Sequence, residues 1–171
     1  MIGQRAGRFA TDGDIRCARR DYGHSLFIKD KKLYYVYNFL GIPEQQFVFV
    51  SPDELVPNAP NEEYTFVVEF NKEPEAGTYG ESLGETKLSV NGTVVAQGPM
   101  KAQVGKFTLC GDGLCVGYDS ADAVSELYSK LPNPSNPFRG GTIHKVVITP
   151  GEEEITEVIN SRLLAGAFSA D

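Results

Sequence analysis

A chain of 171 residues, 41% hydrophobic and 23% charged, has the size and composition of one globular domain with a substantial core. A formal net charge of −7 and a pI near 4.9 argue against a nucleic-acid partner, whose binders carry a basic face. No apolar run approaches the roughly 20 residues that span a bilayer, so no membrane span is expected.

The opening MIGQRAGRFATDGD has no apolar core of a secretory signal, which slightly favours a cytoplasmic setting. An excised domain whose parent carried the signal would read the same way. Arg16, Arg19 and Arg20 form a small basic cluster, but Asp14 and Asp21 flank it, and a solvated, locally balanced edge is the simpler reading.

Residues 23–41, GHSLFIKDKKLYYVYNFLG, predict a hairpin: two strand-like arms separated by the polar break Asp30-Lys31-Lys32. The second arm is apolar or aromatic on both faces, as a central strand covered from both sides would be. Tyr34, Tyr35 and Tyr37 are therefore expected in the core, not on a sugar-stacking platform.

Residues 46–51 (QFVFVS) form a short apolar run closed by Pro52, and the irregular PDELVPNAPNEE follows. Residues 64–70 alternate, with Tyr64, Phe66, Val68 and Phe70 on one face. EAGTYGESLGE, with Gly77, Gly80 and Gly84, is expected to be a mobile loop. Its glycines are too loosely spaced for a phosphate cradle, which Glu81 and Glu85 would also oppose.

Residues 85–97 predict the clearest hairpin, because Asn91-Gly92 best supplies the two positive φ angles of a type I′ turn. Asn91-Gly92-Thr93 also matches a glycosylation sequon, which the tight turn explains better. Two further strands are expected around Gly111-Asp112-Gly113 within 106–118, and a late strand at 141–149 before Pro150. From Glu152 the spacing of Ile155, Val158, Ile159 and Leu163, behind acidic residues, predicts a short helix or a frayed tail.

Many short strands without alternating helices exclude a parallel α/β sheet. They predict an all-β fold, an antiparallel two-sheet β-sandwich of jelly-roll or concanavalin-like kind. It would occupy 1–151 as one domain, with 152–171 as a tail or short C-terminal helix.

Chemistry-bearing signals are sparse. His24 and His144 fit no zinc spacing, and each reads as an ordinary strand histidine. No G-x-S-x-G and no Walker-type loop occurs. Cys110 and Cys115 bracket the loop GDGL. If the flanking strands pair, their Cβ atoms lie about 4.5–5.5 Å apart, within disulfide reach. Two buried thiols in a reducing compartment are the favoured alternative, and the odd count of three cysteines does not suggest a disulfide scaffold.

Asp112, Asp119 and Asp122, with Glu126, concentrate acid in GDGLCVGYDSADAVSE. Rim carboxylates of this kind can ligate calcium, although their spacing matches no EF-hand and solvated loop acids are commoner. Arg139 in NPFRGGT would hold an anion or pair with one of these acids. No other cofactor is indicated.

Four segments resemble the C-terminal β-domain of large bacterial arylsulfatases of the alkaline-phosphatase superfamily. They are YGHSLFIKDKKLYYVYNFLGI (22–42), ETKLSVNGTVVAQGPM (85–100), LCVGYDS (114–120) and PFRGGTIHKVVI (137–148). The family's chemistry sits in a separate α/β domain with a C/S-x-P-S-R motif and ligands for a divalent cation. This chain has no such motif; Cys17-Ala18-Arg19-Arg20 lacks its proline. The resemblance thus implies a non-catalytic accessory domain whose partner is a sulfatase catalytic domain, and carries over no catalytic residue. The reading kept beside it is a free-standing lectin- or laminin-G-like module that binds glycan or protein through loops 77–84, 110–113 and 119–139.

Overall fold

The computed structural model describes residues 23–39, 41–57, 62–73, 81–103, 114–119, 123–128, 136–139 and 141–149. Its first element, β1 (Gly23–Lys29), meets β2 (Lys32–Asn38) in an antiparallel hairpin with Lys29 opposite Lys32. Asp30 and Lys31 form the two-residue turn, with φ of 48° and 59°. That backbone twist matches the strands it joins, so the turn forms although neither residue is glycine. A short 3₁₀ turn at Pro43–Gln45 then feeds β3 (Gln46–Val50), which pairs with β2 from Tyr34↔Val50 to Asn38↔Gln46.

The second sheet is β4 (Phe66–Lys72), β5 (Glu81–Val90) and β6 (Thr93–Gln103), also antiparallel. Asn91 and Gly92 carry φ of 49° and 80°, the expected type I′ pair. The hairpin is longer than 85–97: β5 begins at Glu81 and β6 runs to Gln103. Residues 81–84, expected in a mobile loop, are instead ladder residues, and Gly84 is buried opposite Lys72 and Met100. A register shift after Leu88 pairs it with Ala96 while Ser89 pairs with Val94.

The architecture is an all-β sandwich of two three-stranded sheets. Leu33, Tyr35, Tyr37 and Phe49 from the first sheet pack with Phe70, Leu88 and Met100 from the second in one buried cluster. Each such side chain contributes about 1.5–3 kcal/mol through removal from water. The Gln103 amide donates to the Tyr37 hydroxyl at 2.7 Å, a direct bond between the sheets. Both sheets run in sequence order, β1-β2-β3 and β4-β5-β6, so the described strands form meanders. Residues 141–149 join neither sheet. The expected helix within 152–171 lies outside the described residues.

Candidate functional site

A central strand with apolar residues on both faces demands two covers, and β2 receives them. Leu33, Tyr35 and Tyr37 face the sandwich core. Tyr34, Val36 and Asn38 face the other way, where segment 123–128 lies over them. Phe27, Val36 and Tyr128 are fully buried there, with Tyr34, Ala123 and Leu127 packed around them. Phe27 stacks on Tyr34 with ring centroids 5.1 Å apart and meets Tyr128 edge-on at 4.7 Å.

Polar groups fasten this outer segment. The Tyr128 hydroxyl donates to Asp119 Oδ2 at 2.6 Å and accepts from the Val124 amide at 3.0 Å and from Ser25 Oγ at 3.3 Å. Burial, reinforced by the Asp119 charge, pushes the Tyr128 hydroxyl well above the ordinary tyrosine range. Lys29 Nζ donates to the Leu127 carbonyl at 2.7 Å. Asn38 Nδ2 donates to the Val124 carbonyl at 2.9 Å, and Asn38 Oδ1 accepts from the Gly41 amide at 3.2 Å.

Asn38 therefore ties the 123–128 segment and the turn after β2 to the end of that strand. Between these walls lies an open cleft of about 240 Å³. Asn38, Gly41, Gln46 and Val48 line it from the sheet side, and Ser125, Glu126 and Leu127 from the outer segment. Ser125 is buried, and its Oγ accepts from the Leu127 amide at 3.2 Å. Gln46 and Val48 point outward because β3 turns Phe47 and Phe49 to the core.

Asp119 stands apart from the solvent-facing rim acid that its sequence context suggested. It is fully buried, its carboxylate bonded to Tyr128 and its backbone exchanging hydrogen bonds with Asn136 at 3.1 and 2.8 Å. Arg139 is exposed two residues after Pro137. Asp112 and Asp122 lie outside the described residues, as does Cys110; Cys115 is buried. Among the described residues, no three His, Cys, Asp or Glu side chains gather as a metal site. His24 has a strand histidine's ordinary role, with Nδ1 at 2.6 Å from the Tyr35 hydroxyl.

Of the expected loops, 119–139 contributes to the cleft through Ser125, Glu126 and Leu127. The remaining walls went unflagged in the sequence. Asn38 ending an apolar run was a usable signal, since a polar residue there must find partners. Nothing in QFVFV marks Gln46 and Val48 as cleft residues.

Among the described residues, no helix is long and apolar enough to cross a membrane. No protein-family model, no curated protein and no solved structure matches this chain.

Proposed function

We propose that this chain is a non-catalytic accessory β-domain that packs against the catalytic domain of an arylsulfatase-like hydrolase. The sequence resemblance of its four segments motivates the reading. The single structural observation that supports it is the outward face of β3, where Val48 and Val50 are 46% and 38% exposed. Leu114, Val116 and Tyr118 are also exposed. Exposed apolar side chains that share one strand face, as Val48 and Val50 do, are a signature of interaction faces.

The purified chain is then expected to show no hydrolysis of an aryl sulfate ester, with or without calcium. It should form a complex with a catalytic domain carrying the C/S-x-P-S-R motif, if one is encoded in its reading frame, and Val48→Glu should weaken that complex. Turnover that survives purification and disappears on mutating this chain would refute the accessory role.

The cleft favours a second reading, a free-standing binding module of the lectin or laminin-G type. A glycan array with the purified chain, together with a calcium-dependent melting shift, separates the two.

A further inference from the structure

We infer that the open edge of β3 pairs antiparallel with the same edge of a second copy of this chain, joining the two β1-β2-β3 sheets across a two-fold axis. The inference goes beyond the accessory reading, which uses the outward side chains of Val48 and Val50. Strand pairing uses their peptide groups.

The phase of the ladder decides where those groups point. In β2, alternate residues turn their peptide groups to β1 and to β3. The two-residue turn closes on the Lys29–Lys32 pair, and the Ser51 amide donates to the Leu33 carbonyl at 2.9 Å. Both fix the same phase, in which Tyr35 and Tyr37 exchange hydrogen bonds with Phe49 and Phe47. Gln46, Val48 and Val50 therefore direct N–H and C=O away from β2. The Gln46 amide is taken by the Pro43 carbonyl of the 3₁₀ turn. The peptide groups of Val48 and Val50 have no partner among the described residues. A row of such groups is a template for one more strand.

The other outer strands carry the devices that discourage pairing. β4 holds Glu69 and Lys72, β6 holds Pro99 and Lys101, and β1 ends in Lys29. β3 reads QFVFV, with no charge, proline or glycine, and four of its five residues are strong strand formers.

The same five residues select the occupant. Turned about a two-fold axis at Val48, the strand is its own complement: Val48 faces Val48, Phe47 faces Phe49 and Gln46 faces Val50. The two Val48 residues exchange both of their backbone bonds, and each Val50 amide donates to the opposite Gln46 carbonyl. Valine meets valine on the outer face, and no charge from either strand is brought opposite a like one. An isologous contact of this kind closes at two copies.

The test is sedimentation equilibrium of the full chain over roughly 5 µM to 1 mM, the range in which a small interface populates both states. The mass should rise from 18.7 kDa towards twice that value. Added salt should tighten the pairing, because each copy carries a net charge of −7 and the contact itself holds no ion pair. Amide exchange by NMR should slow with concentration at Val48 and Val50. Val48→Pro removes an N–H that bonds nothing in the single chain, at an edge position that tolerates proline, so the melting temperature should hold. It should weaken the dimer at least about 10-fold, since symmetry removes the bond twice. Val48→Lys keeps the amide, sets two like charges face to face and should weaken the dimer equally.

A chain that stays at 18.7 kDa throughout overturns the inference, as does a dimer that both variants leave intact or that salt weakens. Mass that grows past two copies overturns the closed two-fold contact. Protection of Val48 and Val50 that appears only when another protein is added gives the edge to a different occupant and equally overturns self-pairing.

Discussion

Tyr128 concentrates much of the outer layer's order in one hydroxyl group. It donates a hydrogen bond to Asp119 and accepts from Val124 and Ser25, all inside a buried region. Tyr128→Phe keeps the ring between Phe27 and Val36 but removes every one of those bonds. It leaves the Val124 amide without its acceptor, and it withdraws a charge-assisted bond from Asp119. A loss of about 1–3 kcal/mol is expected in urea unfolding. A change below about 0.5 kcal/mol would show that the network does not hold the layer down. The sequence hid this pairing, since Asp119 and Tyr128 sit in a stretch rich in loop acids. Burial of one carboxylate among several is a tertiary fact.

At the scale of elements, turns and ladders make separable predictions. The β1–β2 turn holds Asp30 and Lys31 in the left-handed region at φ of 48° and 59°, which costs a residue with a Cβ about 1–2 kcal/mol. Lys31→Gly relieves part of that, offset by the freer unfolded chain and by loss of the exposed Lys31–Glu54 pair at 3.4 Å. A net gain of about 0.5–1 kcal/mol is expected, read as a melting temperature raised by a few degrees.

Gly84 behaves in the opposite sense. A Cβ there would lie 2.3 Å from the Asn71 carbonyl oxygen and 2.9 Å from Phe70 Cε2, and the first is backbone that cannot swing aside. Gly84→Ala is expected to destabilise by about 1–3 kcal/mol, whereas Gly98→Ala, whose nearest neighbour is Phe49 at an ordinary 3.5 Å, should be close to neutral. Equal melting temperatures for the two variants would contradict this. Asn91-Gly92 was legible as a turn because its dipeptide encodes its own φ angles. Gly84 was misread as loop because glycine is also what a crowded ladder needs.

Across the whole molecule, the two layers of burial set its response to alkali. Desolvation, with Tyr37 nearby, raises Tyr35 well above the ordinary value of 10.0; desolvation and the Asp119 charge do the same for Tyr128. Each folded-state pKa lies above its unfolded value, so the unfolded chain releases these protons first. Their contribution is intact below about pH 10 and is lost as pH rises from there towards the folded-state values. Of the eight tyrosines, at least these two should stay protonated in an absorbance titration at 295 nm until the chain unfolds. Ionisation of all eight near pH 10 with the fold intact would contradict the burial of both rings.

The antiparallel sandwich was readable from the chain because alternation, turn dipeptides and strand propensity are local and repeat along it. LYYVYN declared a strand apolar on both faces, and β2 is covered on both sides. What covers the outer side was not legible, because 123–128 reaches Phe27 and Val36 from about ninety residues away by shape and hydrogen bonding. The same holds for the cleft. Asn38, Gln46 and Ser125 are unremarkable in sequence, and they line one cleft when folding sets the end of one strand against a distant loop. Local chemistry determined the strands, the hairpins and the aromatic core; tertiary contact alone decided which polar groups are buried, which apolar faces stay open and where a cleft forms.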